Sequence, residues 1–271
     1  MTNHALVVLK EALRARKLDR TLTTTLPPPD KDGGVAPTAM AGLDAVLYPT
    51  AHACAAGARG VGGGLPRGQL SEIAGPRSSG RTTLLLQVVA AATRRGEIAA
   101  LVDTFDRLDL ASVVSAGIDL DRLLWIRGYD IRVQGSGPGA FVDRIVGRAL
   151  KAFNLVLQAG TFGVVALDLA DAPRAALNRI PFTTWLRVQR TIEGSDTACV
   201  LVGPQPLARS AGGLTLLLAG RTQWAGRATS HQASGGRRLV GMEMTVRVIS
   251  PRRRVDGEVT LGAQVHGCTG A

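Results

Sequence analysis

One segment of the sequence has the residue types and spacing of a phosphate-binding loop. Residues 75–82 read Gly-Pro-Arg-Ser-Ser-Gly-Arg-Thr, which differs from the pattern G-x-x-x-x-G-K-[ST] only by arginine in place of lysine. Its glycines allow the backbone to curl so that N–H groups face phosphate, and the threonine hydroxyl can bind magnesium. We expect phosphate to contact the loop and the start of the following helix, namely Gly75, Pro76, Arg77, Ser78, Ser79, Gly80, Arg81, Thr82 and Thr83.

The arginine of this loop changes the chemistry that we expect from it. Arg81 keeps the positive charge of the missing lysine, but a guanidinium is broad, planar and suited to bidentate contacts. Phosphate binding can survive this change. Phosphoryl transfer depends on the placement of charge at the transition state and is expected to suffer.

A carboxylate in a second segment completes the predicted nucleotide site. Asp168 directly follows the apolar run Val164–Leu167, which reads as a buried strand. A carboxylate at the carboxyl end of such a strand can hold magnesium beside the phosphate loop. We therefore expect Thr82 and Asp168 to be the magnesium-binding residues.

Apolar strands alternate with helices around these residues. The patterns predict helices over 40–47, 83–95, 139–158 and 181–192, and a further helix that ends at Gly117. They predict strands over 70–74, 98–103, 123–126, 164–168, 198–202, 214–218 and 242–249. Unbroken apolar strands that alternate with helices indicate an α/β fold, with a mostly parallel central sheet flanked by helices.

The predicted core lies between two short extensions. Residues 1–34 read as a short amphipathic helix followed by a linker, because three consecutive prolines at 27–29 forbid helix there. Residues 35–250 form the nucleotide-binding core, and residues 251–271 form a basic C-terminal tail.

Composition limits the class of protein. The chain has 271 residues, of which 45% are hydrophobic, so it can bury a sizeable core and is not wholly disordered. No apolar run approaches the roughly 20 residues that span a bilayer. The three cysteines are scattered and odd in number, which argues against a disulfide framework. We expect a cytoplasmic protein that associates with the nucleoid and not with a membrane.

The positive charge is concentrated in the last quarter of the chain. The net charge is +11, and residues 205–271 carry nine Lys or Arg against three Asp or Glu. This excess is expected to attract nucleic acid, although a merely solvated basic face is the alternative. The candidate nucleic-acid contacts are Arg221, Arg227, Arg237, Arg238, Arg252, Arg253 and Arg254.

A resemblance extends well beyond the loop. The run LPRGQLSEIAGPRSSGRTTL at residues 65–84 closely resembles the bacterial RecA recombinases. The similarity continues through Asp103 and through residues 117–121 to Leu124. It implies a RecA-like P-loop core that uses ATP and Mg²⁺, with Asp109 as a carboxylate on the adenine side.

The departures from RecA fall on the hydrolytic residues. In RecA a glutamate that polarises the attacking water lies two residues after the aspartate matching Asp103, and this chain has Phe105 there. Asp103 and Asp106 are the remaining candidates for a catalytic base. The glutamine that senses the γ-phosphate in RecA is matched only by a displaced Gln205. The segments 172–179 and 206–213 leave little room for the two DNA-binding loops of the family. Together with Arg81, these changes predict weak or no ATP hydrolysis.

Short motifs also resemble the ImuA family of RecA relatives, which lack convincing ATPase residues. They are Leu13–Arg16, Leu43–Ala45, and Leu239–Gly241 followed by the basic run before Val255. This resemblance implies an accessory factor in translesion synthesis or SOS mutagenesis. Its expected partners are a lesion-bypass polymerase or an inactive Y-family polymerase homologue, RecA, single-stranded DNA and further copies of itself. The alternative is a divergent DNA-dependent ATPase or recombinase that forms filaments on single-stranded DNA.

Overall fold

The structure is a computed structural model that describes residues 34–47, 63–128, 138–208, 213–225, 238–250 and 255–264. Its helices are α1 (Ala41–Leu47), α2 (Arg81–Arg94), α3 (Leu110–Ser115), α4 (Pro138–Ala159), α5 (Arg174–Leu177) and α6 (Phe182–Ile192). Its strands are β1 (Val35–Ala36), β2 (Leu65–Pro66), β3 (Gln69–Ala74), β4 (Ala99–Asp103), β5 (Leu123–Arg127), β6 (Val164–Asp168), β7 (Ala198–Gly203), β8 (Thr215–Ala225), β9 (Arg238–Ser250) and β10 (Val255–Gln264). The helix predicted near the N-terminus lies outside the described residues.

An eight-stranded sheet in the order β10-β9-β8-β3-β7-β6-β4-β5 forms the centre of the fold. The strands from β8 to β5 run parallel to one another, whereas β9 and β10 are antiparallel additions at one edge. Because the parallel strands share a direction, β3, β7, β6 and β4 end at the same edge of the sheet. This edge holds the phosphate loop, Asp103 and Asp168.

Helices cover both faces of the sheet, as the sequence predicts. Side chains alternate along β6, so Val164 and Ala166 pack with α1–α3 while Val165 and Leu167 pack with α4–α6. A strand that is buried on both faces must be apolar throughout, which is the pattern that the sequence shows. None of the helices in the described ranges is long and apolar enough to cross a bilayer.

The sheet extends further than the sequence pattern predicts. β8 continues seven residues beyond the predicted end at Leu218, and those residues are exposed. Exposed strand residues carry no hydrophobic alternation, so their pairing with β9 leaves no pattern in the sequence.

The sequence placed the end of the core at residue 250, whereas β10 pairs with β9 along its whole length from Val255 to Gln264. Part of the predicted basic tail is therefore an edge strand of the core sheet. Val259 and Leu261 on this strand pack against the core on the α1 side.

Candidate nucleotide site

The phosphate loop has the backbone geometry that a phosphate cradle requires. It joins β3 to the 14-residue helix α2, as the sequence predicts. Ser78 and Gly80 have φ values of 58° and 92°, which turn the chain sharply before the helix begins. The first N–H groups of a helix lack intrahelical partners, so those of α2 are available to an anion.

Neighbouring strands pack directly against the loop glycines. A Cβ atom at Gly75 would lie 2.5 Å from the carbonyl oxygen of Leu218, and a Cβ at Gly80 would collide with the Met244 side chain. Gly220 in turn lies so close to the loop that a Cβ there would stand 2.8 Å from the Cα of Ser79. Strands β8 and β9 thus pack directly against the loop. Glycine is required at these positions because a side chain would collide with the neighbouring strand or loop.

Arg81 binds the loop itself. Its Nη1 donates a hydrogen bond of 2.7 Å to the carbonyl oxygen of Gly75, and the residue is buried. Burial lowers the pKa of Arg81, while the nearby carboxylates of Asp168 and Asp171 act in the opposite direction. The cation that replaces the usual lysine is therefore engaged in holding the two ends of the loop together.

The two predicted magnesium-binding residues differ in their surroundings. Thr82 is exposed in the first turn of α2. Asp168 accepts a hydrogen bond of 2.8 Å from the backbone N–H of Ala170 through one carboxylate oxygen. Burial raises the pKa of Asp168 to about 6, with Asp103 adding to the rise while that hydrogen bond and Arg81 oppose it.

Polar groups around the loop fit a phosphate and a magnesium ion. The buried hydroxyl of Ser79 has no hydrogen-bond partner among the described residues, and such a group normally finds one. No set of three or more His, Cys, Asp or Glu side chains in the described part of the chain could hold a metal ion. A magnesium ion here would therefore depend on Thr82, Asp168 and oxygen atoms of the bound phosphates.

Asp171 organises the mouth of the site, and sequence reasoning missed it. Its two carboxylate oxygens lie 3.6 Å from Arg77 and 3.6 Å from Arg107, which come from different segments. Both arginines are largely exposed, so a phosphate can compete for them. In the sequence, the only sign of this role is that Asp171 lies three residues after Asp168. Its ion-pair partners, Arg77 and Arg107, are too far away in the chain for a local pattern to indicate them.

Comparison with known proteins accords with this geometry. Residues 43–134 match the family model of the RecA N-terminal domain. The chain is 33% identical over 165 residues to Protein RecA of Clavibacter michiganensis subsp. michiganensis, which covers 59% of this chain and 41% of that protein. It is 37% identical over 117 residues to Protein RecA of Arthrobacter sp. (strain FB24), covering 42% and 29%. Residues 43–134 are therefore similar to the RecA N-terminal domain. The chain spans less than half the length of the curated relatives it matches.

In this RecA-like core, the first candidate base has a structural role. Asp103 is buried and accepts hydrogen bonds of 2.9 Å from the backbone N–H groups of Arg107 and Leu108. It also accepts a hydrogen bond from the Trp125 indole at 3.3 Å. Both carboxylate oxygens are thus engaged in closing the turn that follows β4.

The second candidate base is paired with a cation. Asp106 accepts two hydrogen bonds from Arg127, of 2.7 and 2.8 Å. These bonds hold the pKa of Asp106 below its ordinary value. Phe105, at the position where the resemblance expects glutamate, packs against the apolar cluster beneath α4. Neither candidate carboxylate, Asp103 or Asp106, is therefore free to orient a water molecule.

Asp109 caps a helix. Its carboxylate accepts hydrogen bonds from the backbone N–H of Ser112 at 2.8 Å and from the Ser112 hydroxyl at 2.7 Å. These bonds hold the pKa of Asp109 below its ordinary value. The carboxylate that the resemblance assigns to the adenine side is the N-cap of α3, and its contact with adenine stays a prediction.

A buried glutamate in the strand before the loop was also missed. Glu72 accepts hydrogen bonds from the backbone N–H groups of Leu207 and Ala208 through Oε1, and Oε2 has no partner among the described residues. Burial raises its pKa, and these two hydrogen bonds oppose the rise. The only local signal is a charged residue inside the apolar run Leu70–Ala74.

Most of the predicted nucleic-acid contacts lie outside the described residues. Arg221 is exposed on β8, where the hairpin extends beyond the core. The backbone of Arg238 begins β9, and its side chain is outside the description. The other five predicted contacts, Arg227, Arg237, Arg252, Arg253 and Arg254, are not among the residues that the structure describes.

Proposed function

We propose that this chain is a RecA-like DNA-repair protein that binds ATP with Mg²⁺ and hydrolyses it weakly or not at all. One observation carries the proposal: the loop keeps the backbone geometry of a phosphate cradle, while Arg81 and the two candidate bases, Asp103 and Asp106, are engaged in other contacts. Arg81 donates a hydrogen bond to the Gly75 carbonyl oxygen. Asp103 accepts hydrogen bonds that close the turn after β4, and Asp106 is paired with Arg127. Nucleotide occupancy would then serve to order the protein for binding its partners.

The proposed biological role is that of an accessory factor in translesion synthesis, as in the ImuA family. Its partners would be a lesion-bypass polymerase or an inactive Y-family polymerase homologue, RecA, and single-stranded DNA. The resemblance of the short ImuA motifs supports this role. Size-exclusion chromatography of the chain mixed with the inactive polymerase homologue tests it, and separate elution of the two proteins would contradict it.

The nucleotide site is tested by removing its proposed magnesium ligands. Thr82→Ala and Asp168→Ala should each abolish the magnesium-dependent part of ATP binding in titration calorimetry, because each removes an oxygen ligand. Thr183→Ala provides the control, since Thr183 is also exposed in the first turn of a helix but is remote in sequence from the loop. Unchanged affinity in both site variants would contradict the model of the site.

The absence of efficient hydrolysis is tested by measuring ATP turnover with and without single-stranded DNA, beside Asp168→Ala. We expect the wild-type chain to show no turnover above the variant. DNA-stimulated turnover that the variant lacks, or nucleotide-dependent filaments seen by electron microscopy, would favour the divergent recombinase instead.

A further inference from the structure

Ion pairing of the basic side chains in the described part of the chain differs between the helices α4 and α6 and the rest. Most arginines outside α4 and α6 form an ion pair with a carboxylate, and these are Arg67, Arg77, Arg95, Arg107, Arg122, Arg127 and Arg179. Five exposed cations on α4 and α6 form no ion pair with a described residue. They are Arg144, Arg148, Lys151, Arg187 and Arg190.

The cations of α4 lie on the side opposite its buried face. Residues 144, 148 and 151 follow helical spacing and form one row along the helix. The buried row contains Val146, Ala149 and Phe153, which pack toward the sheet. The charged row therefore lies on the outer side of α4, and Arg148 in this row also lines a pocket with Asp103 and Thr104 at the end of β4.

α6 repeats this arrangement. Trp185, Val188 and Ile192 form its buried face, whereas Arg187 and Arg190 are exposed on the other side. α4 and α6 pack against each other and against the same face of the sheet. Packed helices lie about 8–10 Å apart, so the two rows form one basic surface.

Carboxylates do not neutralise this surface. Asp143 is the acidic residue of α4, and it already accepts hydrogen bonds of 2.7 and 3.1 Å from Arg179. α6 contains no acidic residue, and Glu193 follows only at its C-terminal end. Unpaired cations concentrated on one face produce a positive potential that attracts polyanions.

We propose that the outer face of α4 and α6 is a binding surface for the phosphate backbone of a nucleic-acid strand. Cations that have no carboxylate partner are available to bind phosphates. A nucleic-acid backbone presents phosphates at regular intervals, and contacts with them do not depend on the base sequence. Phe182, at the start of α6, is 47% exposed and gives a base a surface for stacking. This surface lies on α4 and α6, whereas Arg221, the candidate contact whose side chain the structure describes, lies on β8.

The proposal deepens the nucleic-acid binding that the proposed function includes, but it does not depend on the nucleotide site. The full-length chain is titrated into a labelled oligothymidylate, and fluorescence anisotropy gives the affinity over a series of salt concentrations. The test variant is Arg144→Gln/Lys151→Gln, which leaves Arg148 and its pocket beside Asp103 unchanged. The control variant is Arg94→Gln/Arg122→Gln, which removes the same net charge from exposed positions outside α4 and α6.

We expect the test variant to lower the slope of log affinity against log salt by about 1.4, since each single-strand phosphate contact contributes about 0.7. At about 0.1 M salt the affinity should fall on the order of tenfold. The control should keep the wild-type slope. Circular dichroism melts of the test variant and wild type should be alike, because the replaced cations form no ion pair and glutamine is a good helix former.

Several results would overturn the proposal. Equal slopes for the test and control variants would show that the face does not bind phosphate. Polyglutamate serves as a second, acidic protein probe. If the test variant loses salt-dependent binding of polyglutamate but binds oligothymidylate as wild type does, the face binds an acidic protein partner instead. If wild type binds neither single-stranded nor duplex DNA, the surface proposal fails, while ATP binding by the same preparation reports separately on the proposed function.

Discussion

Arg81 and Gly75 stand at opposite ends of the phosphate loop, and one hydrogen bond joins them. The acceptor is the carbonyl oxygen of a buried residue, which water cannot easily reach. Leaving a buried carbonyl unpaired costs about 1–3 kcal/mol. The arginine therefore contributes to the stability of the loop as well as to its charge.

Replacing Arg81 by methionine should lower the free energy of unfolding by about 1–3 kcal/mol, because the Gly75 carbonyl loses its donor. Arg174→Met is the matched control, since Arg174 is exposed and no ion pair joins it to a described residue. The control should stay within about 0.5 kcal/mol of wild type. Urea unfolding measures both, and equal values would show that the hydrogen bond contributes nothing.

Glu72 is the second residue whose environment has a measurable consequence. Its pKa is raised by burial, so in the folded chain it keeps a proton at pH values where the unfolded chain has released it. The folded state is then favoured at low pH. This contribution is fully present below the ordinary pKa of 4.5 and is lost as the pH rises through the folded pKa.

Glu72→Gln removes the titration but keeps an oxygen that can accept from Leu207 and Ala208. The stability of wild type relative to this variant should therefore decrease as the pH rises from about 4 toward neutrality. Denaturant unfolding at several pH values gives this difference directly. A difference that does not change with pH would mean that Glu72 does not titrate differently in the folded chain.

At the scale of elements, the β8–β9 hairpin determines the position of the phosphate loop. Gly220 of β8 pairs with Met244 of β9, and both contact the loop, at Ser78–Ser79 and at Gly80 respectively. Interiors are packed too closely to accept an added methyl group without a shift. The loop and the hairpin must therefore move together.

Gly220→Ala should destabilise the chain by about 1–3 kcal/mol and weaken ATP binding, because the new methyl group meets loop backbone. Gly262→Ala on β10 is the control, as nothing lies within 4 Å of a Cβ there. Alanine should be neutral or stabilising at that position by up to about 1 kcal/mol. Thermal melts measure the stability of both variants, and ATP titration measures their affinity. Equal results for Gly220→Ala and Gly262→Ala would contradict the close contact between Gly220 and the loop backbone.

For the molecule as a whole, one partly exposed cluster ties distant segments together at the edge of the sheet opposite the nucleotide site. Arg67 forms a 2.6 Å ion pair with Glu97 and donates to the carbonyl oxygen of Asp196 at 2.6 Å. Arg95 also binds Glu97 and donates to the carbonyl oxygen of Pro37. Burial alone would raise the pKa of Glu97, but the hydrogen bonds and charges of Arg95 and Arg67 hold it below its ordinary value.

The pH dependence of this cluster should have the opposite sign to that of Glu72. A lowered pKa means that the ionised form stabilises the folded chain above the ordinary value of 4.5, and that this contribution is lost as the pH falls through the folded pKa. Glu97→Gln should therefore be less stable than wild type at pH 7, by about 1–3 kcal/mol. The difference should shrink in unfolding experiments below about pH 4, and a constant difference would contradict the ion pairs.

Patterns within single segments were enough to predict much of the fold. β6 was predicted at its observed bounds because a strand buried on both faces must be apolar throughout. The phosphate loop was predicted because its strand, glycines and helix are contiguous in the chain. The exposed end of β8 was not predicted, since exposed strand residues are held mainly by backbone pairing, which any sequence can make. β10 was not predicted either, because only Val259 and Leu261 among its described side chains pack against the core, too few to give a clear alternation.

The amino-acid sequence by itself therefore determined the α/β class, the position of the phosphate loop and the RecA-like character of the chain. The tertiary structure decided which groups in the site remain free to act. Glu72 meets a backbone N–H 136 residues away, and Arg67 meets a carbonyl 129 residues away. No local pattern encodes such partners, because they are brought together only when the strands assemble into one sheet and burial forces each polar group to find a bond.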